Sequence, residues 1–220
     1  LTENNKYLIA VVGPTAIGKT AVSIALAKHF SSEILSADSR QFFKEMSIGT
    51  AVPSKEELAE VPHHFIQHIS IEDEYSVGDF ERDTLNLIDE KFKEQDILFL
   101  VGGSGLYIDA VIKGLDIFPD VDPKIRAELQ ELFDINGIKT LQQLLKKHDP
   151  KYYEKVDNQN PHRLIRALEV CIQSEKPYSS FLGKNKSKRP FEVLKIGLQA
   201  DRKVLYDRIN KRVDLMIENG

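Results

Sequence analysis

Gly13-Pro14-Thr15-Ala16-Ile17-Gly18-Lys19-Thr20 is the stretch from which the fold class is read. Its spacing is G-x-x-x-x-G-K-[ST]. Before it lies a short apolar run, Lys6 to Val12, of buried-strand length, and after it Ala21, Ile24, Ala25 and Ala27 suit a helix from Thr20 to Phe30 packed closely on a sheet. Strand, glycine loop and helix in that order make a cradle for a polyphosphate. The glycines let backbone N–H groups turn inward, and the helix N-terminus adds a favourable dipole. Lys19 supplies a point charge, and the Thr20 hydroxyl can ligate Mg²⁺. Such a loop implies phosphate binding and leaves ATP hydrolysis open.

Outward from the loop, strands and helices alternate. Glu33 to Ser36 has strand character, Phe80 to Gln95 carries an amphipathic stripe, and Ile97 to Val101 is a third strand running into Gly102-Gly103-Ser104-Gly105. The alternation implies an α/β fold with a parallel, P-loop NTPase-like sheet. Past Gly114 the pattern changes. Asp122-Pro123 opens a helix to Phe133, and Thr140 with Gln143 has the form of a capping box. Asn160-Pro161 suits the cap and first turn of a third helix whose apolar stripe is Leu164, Ile165, Leu168, Cys171 and Ile172. Residues 116–190 thus read as an all-helical insertion in a core made of residues 1–115 and 191–220. Lys184 to Arg189 reads as a solvated linker, Val193 to Leu198 as strand and Arg202 to Glu218 as helix.

Composition narrows the class further. The 220 residues are 41% hydrophobic and 29% charged, which suits a globular protein with a real core. No apolar run approaches the roughly 18 residues of a membrane span. With no secretory signal visible and Cys171 the lone cysteine, a cytoplasmic protein without internal disulfides is expected. The net charge of −4 and a pI near 5.9 argue against non-specific coating of nucleic acid. The charge is uneven, however. From Lys146 to Arg189, eleven Lys or Arg face five acids, so that stretch is locally +6 while the remainder carries −10.

Asp38-Ser39-Arg40-Gln41 follows the second strand and falls at the carboxyl edge of a parallel sheet, where open α/β folds bind ligands. Asp38 there is a magnesium ligand, a general base or a turn cap. Ser104 adds a hydroxyl at the same edge. Arg202, Arg208 and Arg212 lie on the last helix, the latter two at i and i+4, so one face can present guanidinium groups either to solvent or to phosphate oxygens. His63, His64 and His68 lack the nearby cysteine that would favour zinc. Cys171 sits on an apolar stripe and is expected in a core.

Taken together, the phosphate loop, Ala37-Asp38-Ser39-Arg40-Gln41, Ile48-Gly49-Thr50-Ala51, Val61-Pro62-His63-His64, Tyr75-Ser76-Val77, Val101 to Tyr107, Arg166-Ala167-Leu168-Glu169-Val170 and Arg208-Ile209 with Arg212 and Met216 resemble the ordered motifs of tRNA dimethylallyltransferases. Ile17, Phe43-Lys44 and Ser104 depart from that family's usual small residue, Tyr-Arg and Thr. The resemblance implies transfer of a dimethylallyl group from dimethylallyl diphosphate to the N6 amine of the adenosine 3′ to a tRNA anticodon. It implies that Gly13 to Thr20, with Mg²⁺ on Thr20, hold the diphosphate, and that Lys19, Ser104 and Arg208 or Arg212 stabilise its departure. Asp38 then takes the amine proton. Asp38, Ser39, Arg40, Gln41 and Ser104 meet the extruded adenosine, with Gln41 and nearby backbone reading its edge. The helical insertion grips the anticodon stem-loop, with Gln159, Asn160, Pro161, His162 and Arg163 at a helix start where amides and a guanidinium can meet phosphates. A monomer is expected, and the family's chains usually continue some tens of residues past the last motif. The alternatives are a prenyltransferase acting on free adenine nucleotides and a P-loop kinase or ATPase. A kinase or ATPase would be expected to end a core strand in a magnesium-binding Asp, whereas Ile97 to Val101 runs into Gly102.

Overall fold

The computed structural model describes residues 5–184 and 188–218, so Lys186 in the linker stretch and the terminal Gly220 lie outside it. The chain divides into two compact units, Leu1–Gly114 with Ser187–Gly220, and Leu115–Lys186.

The first unit is built on a five-stranded sheet in the order β3-β2-β4-β1-β5, every pairing parallel. β1 (Tyr7–Val12) and β4 (Ile97–Gly102) are central and pair from Tyr7 with Ile97 through Val12 with Gly102. Both sheet faces are covered, which is why these strands read as continuous apolar runs and not as alternating ones. Leu8 and Ala10 pack with Phe80, Ile88, Ile108 and Val111 of α3 (Val77–Lys91) and α4 (Gly105–Lys113). Ile9 and Val11 pack on the other face with Ile24 and Ala27 of α1 (Lys19–His29).

β2 (Ile34–Ser36) lies between β4 and β3, the latter only His63–His64. The strand expected as third is therefore fourth, because a polar two-residue strand has no periodicity to read. Before it comes α2 (Lys55–Glu60), whose capping box between Ser54 and Glu57 is a signal the sequence does contain. β5 (Glu192–Gly197) joins the far edge beside β1 and leaves Leu194 and Ile196 exposed. α9 (Arg202–Glu218) follows it.

The second unit packs α5 (Pro123–Asn136), α6 (Ile138–His148), α7 (Pro150–Tyr153) and α8 (Pro161–Ser174) around Leu129, Leu141, Leu145, Leu164 and Leu168. Asp122 and Asn160 cap α5 and α8, each followed by proline in the first turn. Thr140 caps nothing. α6 starts two residues earlier, directly off Gly137 at φ 73°, where the chain turns from α5 in a left-handed conformation that glycine adopts freely. Among the described residues no helix is long and apolar enough to cross a membrane.

Candidate active site

Parallel pairing brings three loops to one sheet edge: the phosphate loop after β1, the Asp38 loop after β2 and the Gly103 turn after β4. Gly18 caps α1 at φ 105°, and Ala16 also takes a positive φ of 61°, so the loop curls where side chains are costly. Lys19 Nζ donates to the carbonyl oxygens of Gly13 and Pro14, both at 2.9 Å. Burial lowers its pKa from the ordinary lysine range, Asp38 pulls it back up, and Arg212 lowers it further. Pro14 and Thr15 are exposed, while the Ile17 side chain is buried and its carbonyl accepts a hydrogen bond from Arg208 Nη1 at 3.2 Å.

The Asp38 loop is fixed from beneath. Ala37 N–H donates to Val101 O at 2.7 Å, and a Cβ on Gly102 would run into the Ala37 carbonyl, so only glycine lets the two strand ends meet. One oxygen of the half-buried Asp38 accepts from Arg40 N–H at 3.2 Å, which makes Asp38 a turn cap whatever else it does. Arg40 itself is exposed. Ser104 Oγ accepts from Ser39 N–H and shares a hydrogen bond with Ser39 Oγ, both at 3.1 Å, so these two serines stitch the second loop to the third. The Gln41 carboxamide faces inward to protein groups at both ends.

A cavity of about 630 Å³ opens over these loops. Thr15, Ala16, Gly18, Lys19, Thr20, Asp38, Arg40, Gln41, Arg208 and Arg212 line it, and Gly49, Thr50 and Ala51 form a further wall. A smaller pocket of about 50 Å³ shares Lys19, Thr20, Asp38 and Gln41 with it and adds Ser36 and His63. On α9, Arg212 lies in a half-buried stripe with Leu205, Ile209 and Met216, and of these Ile209 and Met216 line the cavity with it. Gly13, Pro14, Ile17, Ser39 and Ser104 support this wall without facing it, and Arg202 does not reach it. The Gly49 to Ala51 wall and the apolar side of α9 have no role assigned by residue type alone, although both fall in motifs that carry the family resemblance.

Among the described residues no group of three His, Cys, Asp or Glu side chains is placed to hold a metal. His63 Nδ1 bonds to Val61 O, His64 pairs with Glu33 at 2.6 Å, and His68 packs edge-on against Phe42, Phe65 and Tyr75. Burial works to raise the Glu33 pKa, but hydrogen bonds from His64 and Lys91 outweigh it and hold the carboxyl below its usual range.

In the helical unit the Asn160 side chain accepts from Arg163 N–H at 3.2 Å, while Gln159, His162 and Arg163 are exposed around the start of α8. The Arg166 to Val170 motif is buried from Ala167 to Val170, with Arg166 at its edge. Glu169, 1% exposed, receives two hydrogen bonds from Arg126 and one from Arg166, whose guanidinium also lies 5.2 Å from the Phe118 ring centroid. Cys171 is buried with its thiol pKa pushed up by burial.

The family model for IPP transferase matches residues 41–220. The chain is 60% identical over 216 residues to a tRNA dimethylallyltransferase of Christiangramia forsetii, covering 98% of this chain and 72% of that one. Among solved structures it is similar to a full-length tRNA isopentenylpyrophosphate transferase of Bacillus halodurans, at 40% identity and a TM-score of 0.65, over 98% of this chain and 67% of that one. It is also similar to a eukaryotic dimethylallyltransferase acting on tRNA, at 28% identity and a TM-score of 0.78, over 98% and 54% of the two chains. With its P-loop-type parallel sheet and these relatives, the chain belongs to the tRNA dimethylallyltransferase (IPP transferase) family.

Proposed function

We propose that this protein transfers the dimethylallyl group of dimethylallyl diphosphate to the N6 amine of the adenosine 3′ to the anticodon of tRNA, releasing pyrophosphate. The observation that carries this reading is that Asp38 and the phosphate loop line one cavity in a chain of this family. An allylic diphosphate ionises by breaking its C1–O bond, and the electron pair leaves with pyrophosphate. Loop amides, Lys19 and the two arginines of α9 stabilise that charge. Arg212 shares Lys19's electrostatic surroundings, and Arg208 braces the loop through Ile17. The N6 lone pair then forms the C–N bond, and the proton of an amine made acidic by attack passes to the Asp38 carboxylate. The apolar side of α9 at Ile209, Val213 and Met216 offers the five-carbon chain a place out of water.

Thr20 is the residue proposed to hold Mg²⁺. It lines the cavity in company with a single carboxylate, a sparse set that Mg²⁺ accepts when substrate phosphates and water complete its shell. Bound there, the ion would neutralise charge on the departing pyrophosphate. Ser39, Arg40 and the Ser39–Ser104 stitch shape the acceptor side. The helical unit grips the anticodon stem-loop through Gln159 to Arg163 and the basic residues from Lys146 onward, a role its charge supports. The enzyme is proposed to act as a monomer, in the cytosol.

The test is incubation with labelled dimethylallyl diphosphate and, separately, bulk tRNA or AMP. Label is expected in tRNA alone. Label in AMP alone would transfer the assignment to free adenine nucleotides, and ATP hydrolysis without incorporation would point to the kinase or ATPase class.

A further inference from the structure

A side-chain amide that reads a base must have a donor and an acceptor to spare. Gln41 has neither. Its Nε2 donates to Ala51 O at 3.0 Å and Thr50 O at 3.3 Å, and its Oε1 accepts from the buried Ser36 Oγ at 3.3 Å. The amide orientation follows from the partners, since only its nitrogen end can face two carbonyls. Its backbone is tied as well: Gln41 N–H donates to Asp38 O at 2.9 Å and Gln41 O accepts from Gln67 N–H at 2.8 Å.

What the amide holds is under strain. Ala51 takes a φ of 48°, a left-handed conformation that a residue with a Cβ keeps only where its surroundings hold it. Within the turn, Ala51 N–H reaches Ile48 O at 3.0 Å and Val52 N–H reaches Ser47 O at 3.4 Å. Gly49, Thr50 and Ala51 then face the same cavity as Asp38.

We infer that Gln41 is a positioning residue, which clamps the Ile48–Ala51 turn to the end of β2 and the Asp38 loop and so holds the acceptor wall in register with the base. The inference rests on the proposed transfer reaction. It assigns recognition of the adenine edge to other groups on that wall, such as the backbone of the turn.

Two variants test it. Gln41→Glu turns a carboxylate oxygen toward two carbonyls, and Gln41→Met keeps the volume but removes every hydrogen bond of the side chain. Amide hydrogen exchange at Ala51 and Val52, measured without substrates, is expected to speed up by about fivefold to thirtyfold in both, the factor of one or two lost hydrogen bonds. In the full reaction kcat is expected to fall by at least about the same factor, with KM for dimethylallyl diphosphate nearly unchanged, because a misplaced wall costs alignment and not diphosphate binding. Unchanged exchange at Ala51 and Val52 would overturn the clamp. Faster exchange with normal kcat would overturn its part in the reaction. A raised KM for tRNA with unaltered exchange would return Gln41 to reading the base. A wild-type protein that transfers no label would sink the proposed function by itself, and the exchange measurement would still decide whether Gln41 holds the turn.

Discussion

In the proposed reaction Lys19 changes partners when the diphosphate arrives. Its ammonium is held by two neutral carbonyls, Gly13 O and Pro14 O, and a phosphate oxygen with full charge makes the stronger, charge-assisted bond. Lys19→Ala is therefore expected to lower the transfer rate by about 10² to 10³, the range for losing one donor aimed at developing charge, in initial-rate assays with saturating tRNA. In the proposed reaction Asp38 acts on a proton and not on the phosphate backbone. Asp38→Ala should cost about 10² to 10⁴ in rate while leaving tRNA affinity nearly as it was in filter binding, and near-normal turnover would remove Asp38 from the mechanism. Gly102, at the end of β4, lends a third test. A methyl group there must push the Ala37 carbonyl away, so Gly102→Ala should displace the neighbouring Asp38 and lower kcat more than it lowers binding of either substrate.

At the level of elements, α8 has two distinct ends of use. Along its middle, Glu169 ties α8 to α5 through Arg126 and to its own preceding turn through Arg166. Burial works to raise the Glu169 pKa, but the two guanidinium groups outweigh it and hold the carboxyl below the usual range. A lowered folded pKa means the contribution is fully present above the unfolded value of about 4.3 and is lost as pH falls through the folded one. Glu169→Gln should cost about 2 kcal/mol near neutral pH in urea unfolding and flatten the loss of stability below about pH 4. An acid limb as steep as that of the wild type would show that other carboxylates control it. At its start, α8 presents Arg163 to solvent, and Lys184 is likewise exposed. Charge reversal at both should weaken anticodon stem-loop binding and flatten its dependence on salt, since each phosphate contact releases counterions. Equal affinities at low and moderate salt would leave these side chains as ordinary surface.

For the molecule as a whole, the question is what the phosphate loop serves. If it holds a leaving group, pyrophosphate with Mg²⁺ should compete with the prenyl donor, and ATP should enter weakly through its phosphates without tRNA-independent hydrolysis. Rapid hydrolysis with no label in tRNA would reverse that conclusion. The parts legible in the chain are those set by neighbours a few positions apart. The apolar run before Gly13, the loop spacing, the Asn160-Pro161 cap and the basic stretch after Lys146 each depend on short-range geometry or on charge, which residue order states directly. By that route the parallel α/β core, the helical insertion and the candidacy of Lys19, Thr20, Asp38 and Arg212 could all be read. Tertiary structure decided what those residues touch. Ser104 meets Ser39 across 65 positions, and Arg208 reaches Ile17 across 191. Gln41 closes on a turn ten residues away while Ser36 bonds to its other end. His63–His64 becomes a strand because β2 offers an edge for it to pair with. A hydrogen bond's partner is chosen by which backbone groups arrive within about 3 Å once the sheet has formed, and no local pattern of residue types carries that information.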